Sequence, residues 1–85
     1  MLMKEARQRW DERDAEGALA LLKRARAAGG GPPAYVLSAV ILMSQGKAEE
    51  AERTLAEVLK LDPENAEAKK LLTFTQKQLA ERGYE

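Results

Sequence analysis

The most constraining feature of this 85-residue chain is a pattern that returns after 33 positions. Ala18-x3-Leu22-x2-Ala25 recurs as Ala51-x3-Leu55-x2-Val58. The segment before each stripe keeps the same offset, pairing Leu2 with Tyr35, Ala6 with Ala39 and Trp10 with Met43. Spacings of three and four put each set on one face of a helix. A helix pair that returns at a fixed period cannot bury its apolar face alone, so neighbouring pairs must stack and share a core. The pattern predicts an all-α chain of stacked antiparallel helix hairpins.

The punctuation divides the chain into five helices, at about 2–13, 15–28, 33–45, 47–61 and 65–82. Asp14 suits the N-cap of the second helix and Asn65 or Asp62 that of the fifth, because a short polar side chain there accepts an otherwise unpaired backbone N–H. Gly29-Gly30-Gly31 stops the second helix and Pro33 suits the first turn of the third. The glycines also allow a hinge between the first hairpin and the rest. Gln45-Gly46-Lys47 reads as a tight turn, Asp62-Pro63 ends the fourth helix, and Gly83 is a natural stop for the fifth. The apolar stripes are Ala18, Leu22 and Ala25 in the second helix and Ala51, Leu55 and Val58 in the fourth. In the fifth, Ala68, Leu71, Leu72, Thr75 and Leu79 share a side.

Composition removes most chemistry. Cysteine and histidine are absent, which excludes disulfides, thiolate metal sites and imidazole bases. Ser38, Ser44 and Thr54 therefore lack a histidine base partner for nucleophilic catalysis. The carboxylates at Asp11-Glu12-x-Asp14-x-Glu16 and Glu49-Glu50-x-Glu52 diverge around helices and match no calcium loop. Lys23-Arg24-x-Arg26 is a short basic run. Fourteen cations nonetheless balance fourteen anions, and residues 1–31, 32–62 and 63–85 carry +2, −2 and 0. That gradient is too weak for binding a phosphate backbone. The triglycine is no phosphate loop, since it follows a helix and no Gly-Lys-Ser/Thr is present. Catalytic residues, metal ligands and cofactors are not expected, nor is nucleic-acid binding. The N-terminus turns charged at Lys4, and the apolar stretch Pro33–Met43 is about half the roughly 20 residues of a spanning helix. A soluble, cytoplasmic chain without membrane insertion is expected.

Segment 32–63 carries a more specific pattern. It resembles the tetratricopeptide repeat, whose signature is Trp-x2-Leu-Gly-x2-Tyr, then Ala-x3-Phe, then Pro. Tyr35 stands at the Trp position, Ala39 at the Gly, Leu42 at the Tyr, Gly46 at the turn, Ala51 and Leu55 at Ala-x3-Phe, and Pro63 at the Pro. Ser38 departs from the usual Leu. In the first unit Leu2, Ala6, Ala18, Leu22 and Ala25 fit, whereas Glu5 and Arg9 replace apolar residues and Gly29-Gly30 replaces Asp-Pro. The segment from Asp62 to Ala68 looks like entry into a third unit, with Lys69 at its Trp position. The resemblance implies a right-handed solenoid of two and a half repeats: one at about 1–31, a second at about 32–65, and a capping helix at about 65–82. It also implies a non-enzymatic module that binds another protein in a concave groove.

In the family register, the groove-facing positions are Met3, Arg7 and Trp10 on the first helix, Val36, Val40 and Met43 on the third, and Lys70, Phe74 and Lys77 on the fifth. Each trio follows i, i+4, i+7 and shares a face. The expected ligand is a helix or extended segment with apolar anchors and some acidic residues. The third helix is apolar all round, so it must be covered on both sides or offer a patch to a partner. In a competing arrangement Trp10 and Phe74 fold into the core, and Val36 and Val40 are merely half-buried. Some family members clamp a partner's C-terminal carboxylate with Lys, Asn and Arg. The matching positions here hold Met3, Arg7, Leu37, Glu67 and Leu71, so that clamp is not expected. The alternative function is homo-oligomerisation, through the same groove or through the repeat ends; a small helical enzyme or nucleic-acid binder is a distant third.

Overall fold

The computed structural model describes residues 2–83, and side chains from residue 4 to 81. Leu2 of the repeat pattern and Met3 of the groove set lie on the first helix, but their side chains are outside the described residues. The described residues form five helices: α1 (Leu2–Asp11), α2 (Ala15–Ala27), α3 (Pro32–Ser44), α4 (Ala48–Leu61) and α5 (Ala66–Gly83). Bounds move by one or two residues from expectation: α1 closes at Asp11, α3 starts at Pro32, and α5 continues through Gly83.

Three helices end in the same hydrogen-bonded turn, in which a residue with positive φ lets the chain reverse and satisfy two terminal carbonyls. After α3, Gly46 (φ 78°) donates to the Met43 carbonyl at 3.0 Å and Lys47 to that of Leu42 at 2.9 Å. After α1, Arg13 (φ 64°) donates to Trp10 at 2.9 Å and Asp14 to Arg9 at 2.8 Å. The two turns are one repeat apart, so Arg13 occupies the place of Gly46. After α2, Gly29 (φ 85°) and Gly30 donate to the Arg26 and Ala25 carbonyls at 3.1 and 2.7 Å. A Cβ on Gly30 would lie 2.6 Å from the Ala25 carbonyl oxygen, so only glycine fits. The triglycine is thus tied to the end of α2, and Gly31 leads directly into Pro32.

The helix starts are less uniform. Asp14 accepts the Gly17 N–H at 3.0 Å, and Asn65 accepts the Ala68 N–H at 2.9 Å. Lys47 opens α4 with no side-chain cap.

Successive helices pack on one another, and α3 also touches α5. Ala6, Ala18, Leu22, Ala25, Ala34 and Ile41 form one core cluster. Val36, Ala39, Leu42, Ala51, Leu55, Val58 and Ala68 form the other. Leu19 and Tyr35 pack against both, so the first hairpin is docked on the rest. Helix α3 sends Ala34 and Ile41 one way and Val36, Ala39 and Leu42 the other. Its all-round apolarity therefore reflects a central position with cover on two sides.

The polar residues inside this core are hydroxyls that bond to their own helix. Ser38 donates to the Ala34 carbonyl at 2.8 Å, Thr54 to Glu50 at 2.9 Å and Thr75 to Leu71 at 2.7 Å. Each bond spans four residues, which satisfies the hydroxyl without help from a neighbouring helix. That is how Ser38, only 2% exposed, occupies a core position.

Candidate functional site

Helices α1, α3 and α5 hold the expected groove trios, and the structure treats the trios differently. On α5, Phe74 is 53% exposed, the only large apolar side chain on that helix left so open among the described residues. Lys70 and Lys77 stand one turn before and after it, both exposed. Neither has an ion-pair partner among the described residues. Spacings of four and three put all three on one side of the helix. Leu71, half-buried three residues before Phe74, adds apolar surface on that side.

On α3, Val36 is only 7% exposed and belongs to the core shared with α4 and α5, so packing takes up its side chain. Val40 and Met43 are half-buried. Met43 joins the two helices, because the Thr75 hydroxyl lies 3.3 Å from its sulfur. Thr75 directly follows Phe74, so the exposed ring emerges beside the seam between α3 and α5. A thioether at this seam is polarizable and adaptable, unlike a branched aliphatic side chain.

On α1, Arg7 is exposed. Trp10 is half-buried against the first core cluster, and the Arg13 guanidinium lies 5.4 Å from its ring centre. Arg26 lies similarly over Tyr35, 5.3 Å from the ring centre, so one member of the basic run helps join α2 to α3. Asp14, in the first carboxylate cluster, caps α2 and lies 3.6 Å from Arg9.

Val40 and Met43 are thus half-buried and Phe74 exposed, with Lys70 and Lys77, which have no ion-pair partner among the described residues, one turn before and after it. Leu71 was outside the expected set although it lies on the same side as Phe74. Its i−3 spacing from Phe74 is the sequence signal that could have found it. No described helix is long and apolar enough to cross a membrane.

Comparison with curated proteins and with solved structures gives no match. A family model described as Tetratricopeptide repeat matches residues 9–73, most of the chain. Repeats of this kind generally mediate protein–protein interactions. The 33-residue period, the stacked hairpins and this match agree: the chain belongs to the tetratricopeptide repeat family.

Proposed function

We propose that this chain is a protein-binding scaffold or adaptor module whose concave side holds a partner helix or peptide. The groove is built on Arg7 and Trp10 of α1, Val40 and Met43 of α3, and Lys70, Phe74 and Lys77 of α5. Val36 supports its floor from inside the core. The observation that carries the reading is Phe74, 53% exposed between two lysines that have no ion pair among the described residues. An exposed ring flanked by cations suits a ligand with an apolar anchor beside Asp or Glu, because the anchor is desolvated while the charges set orientation.

Selection from a peptide display library tests this. The wild-type chain is the bait, and a chain carrying Phe74→Ala, Lys70→Glu and Lys77→Glu is the counter-bait. Enriched peptides should combine apolar residues at helical spacing with acidic ones. Phe74→Ala alone should weaken them about ten-fold by calorimetry, a loss near 1.4 kcal/mol. Its melting temperature should stay within about 2 °C of wild type, since the ring is largely outside the core. Peptides that bind the triple variant as tightly as wild type would overturn the groove.

A further inference from the structure

Among the side chains the structure describes, Met43 is the only methionine, and it stands where α5 meets α3. It is half-buried and packs against the second core cluster, so part of it meets solvent. From the inner side the Thr75 hydroxyl lies 3.3 Å from its sulfur, and Thr75 is 0% exposed. In the register that pairs Val40 with Phe74, the counterpart of Thr75 on α3 is Ile41, also 0% exposed, in the cluster against which Trp10 packs. There the contact is aliphatic and aromatic. Here a hydroxyl meets a thioether, which is only a weak acceptor. The hydroxyl's stronger bond runs to the Leu71 carbonyl at 2.7 Å. That carbonyl stands four residues before Thr75 in a continuous helix, so it also takes the Thr75 backbone N–H. The hydroxyl is therefore free to turn toward Met43 without orphaning the carbonyl.

We propose that Met43 is a reversible oxidation site for hydroperoxides, with Thr75 as the donor that holds the sulfoxide. A sulfur lone pair attacks one oxygen of hydrogen peroxide. The S–O bond forms as the O–O bond breaks, and the proton on the transferred oxygen passes to the departing hydroxide, which leaves as water. Sulfur gives up two electrons and the peroxide takes them. The product carries a strongly accepting oxygen against an apolar cluster, which is costly unless a donor meets it. Thr75 is that donor: already in contact with the sulfur, it turns from Leu71 to the new oxygen. The seam between α3 and α5 is thereby kept, while the part of Met43 that meets solvent changes from apolar to polar. The chemistry needs no bound ligand, so it stands or falls independently of the peptide-binding reading.

Treatment of the folded chain with dilute hydrogen peroxide, followed by peptide mapping in a mass spectrometer, tests the site. Met43 should gain one oxygen under native conditions, more slowly than free methionine added as a reference. A Met43 that stays reduced until the chain is unfolded would overturn the proposal. The role of Thr75 is read from melting temperatures before and after oxidation, with Met43→Leu treated alike to subtract the effect of the other methionines. The remaining fall should be about 5 °C larger in Thr75→Val than in wild type, the worth of one hydrogen bond in a domain of this size. Thr75→Ala provides a second background without the hydroxyl and should show the same excess. Thr75→Ser keeps the hydroxyl and should behave like wild type. Equal falls in all these chains would overturn the part given to Thr75. Methionine sulfoxide reductases of both epimer specificities should then restore mass and melting temperature together. A melting temperature that stays low once the mass has returned would mark irreversible damage and overturn the proposal.

Discussion

At the residue scale, Arg13 shows how a repeat bends its own rule. Its backbone adopts the left-handed conformation that Gly46 adopts one repeat later, at a cost of about 1 kcal/mol for a residue with a Cβ. Its guanidinium recovers part of that over Trp10, about 0.5 kcal/mol at an exposed site. Arg13→Gly should therefore raise stability by about 0.5 kcal/mol, or about 2–4 °C in melting temperature. Arg13→Ala loses the ring contact and keeps the strain, so it should lower stability by a similar amount. A glycine variant that melts at or below the alanine variant would contradict this account. The glycines at 29 and 46 were legible as stops because glycine announces positive φ. Arg13 was not, because nothing in its side chain does. Thr54 was similarly opaque: a threonine's exposure depends on whether its hydroxyl can return to its own helix, as it does here.

At the scale of helices, α2 and α4 are the same element with different starts. Asp14 caps α2, whereas Lys47, one repeat later, leaves the first turn of α4 without a side-chain acceptor. Lys47→Asn supplies that acceptor and should add about 1 kcal/mol, while Asp14→Ala should remove about as much. Denaturant titration of both variants checks the pair. An asparagine variant no more stable than wild type would mean that solvent already satisfies those N–H groups equally well. The buried stripes of α2 and α4 were legible in full, because a single face decides them: Ala18, Leu22 and Ala25 are buried, as are Ala51, Leu55 and Val58. Helix α3 was not legible in that way. Apolar on every side, it carries no stripe from which to tell groove from core, and Val36 went to the core while Val40 stayed half-open.

At the scale of the whole molecule, two core clusters meet across α3 through Leu19 and Tyr35. Shared contacts of this kind couple neighbouring repeats. Leu22→Ala in the first cluster and Leu55→Ala in the second should each cost about 2–5 kcal/mol. Both should also leave a single transition. Trp10 fluorescence reports the first cluster and far-ultraviolet circular dichroism reports all helices, so the two curves should coincide in either variant. A Trp10 transition that precedes loss of helix would show that the first hairpin opens alone. The triglycine suggested such freedom in the sequence, but its hydrogen bonds to α2 and the packing of Ala34 and Ile41 on the first hairpin oppose it.

The sequence by itself determined the helices, their order and the faces they bury, because period, caps and glycines act over a few residues and need no knowledge of neighbours. It also determined the pairing of helices into repeats, since the 33-residue offset carries the stacking rule with it. Only the tertiary structure decided which apolar residues remain open. Val40 and Phe74 hold the same register position on α3 and α5, yet Val40 is half-buried and Phe74 is 53% exposed. The reason is place in the stack: α3 has hairpin neighbours on both sides, whereas α5 packs on α4 and touches α3. Exposure is a property of that arrangement, and local periodicity does not encode it.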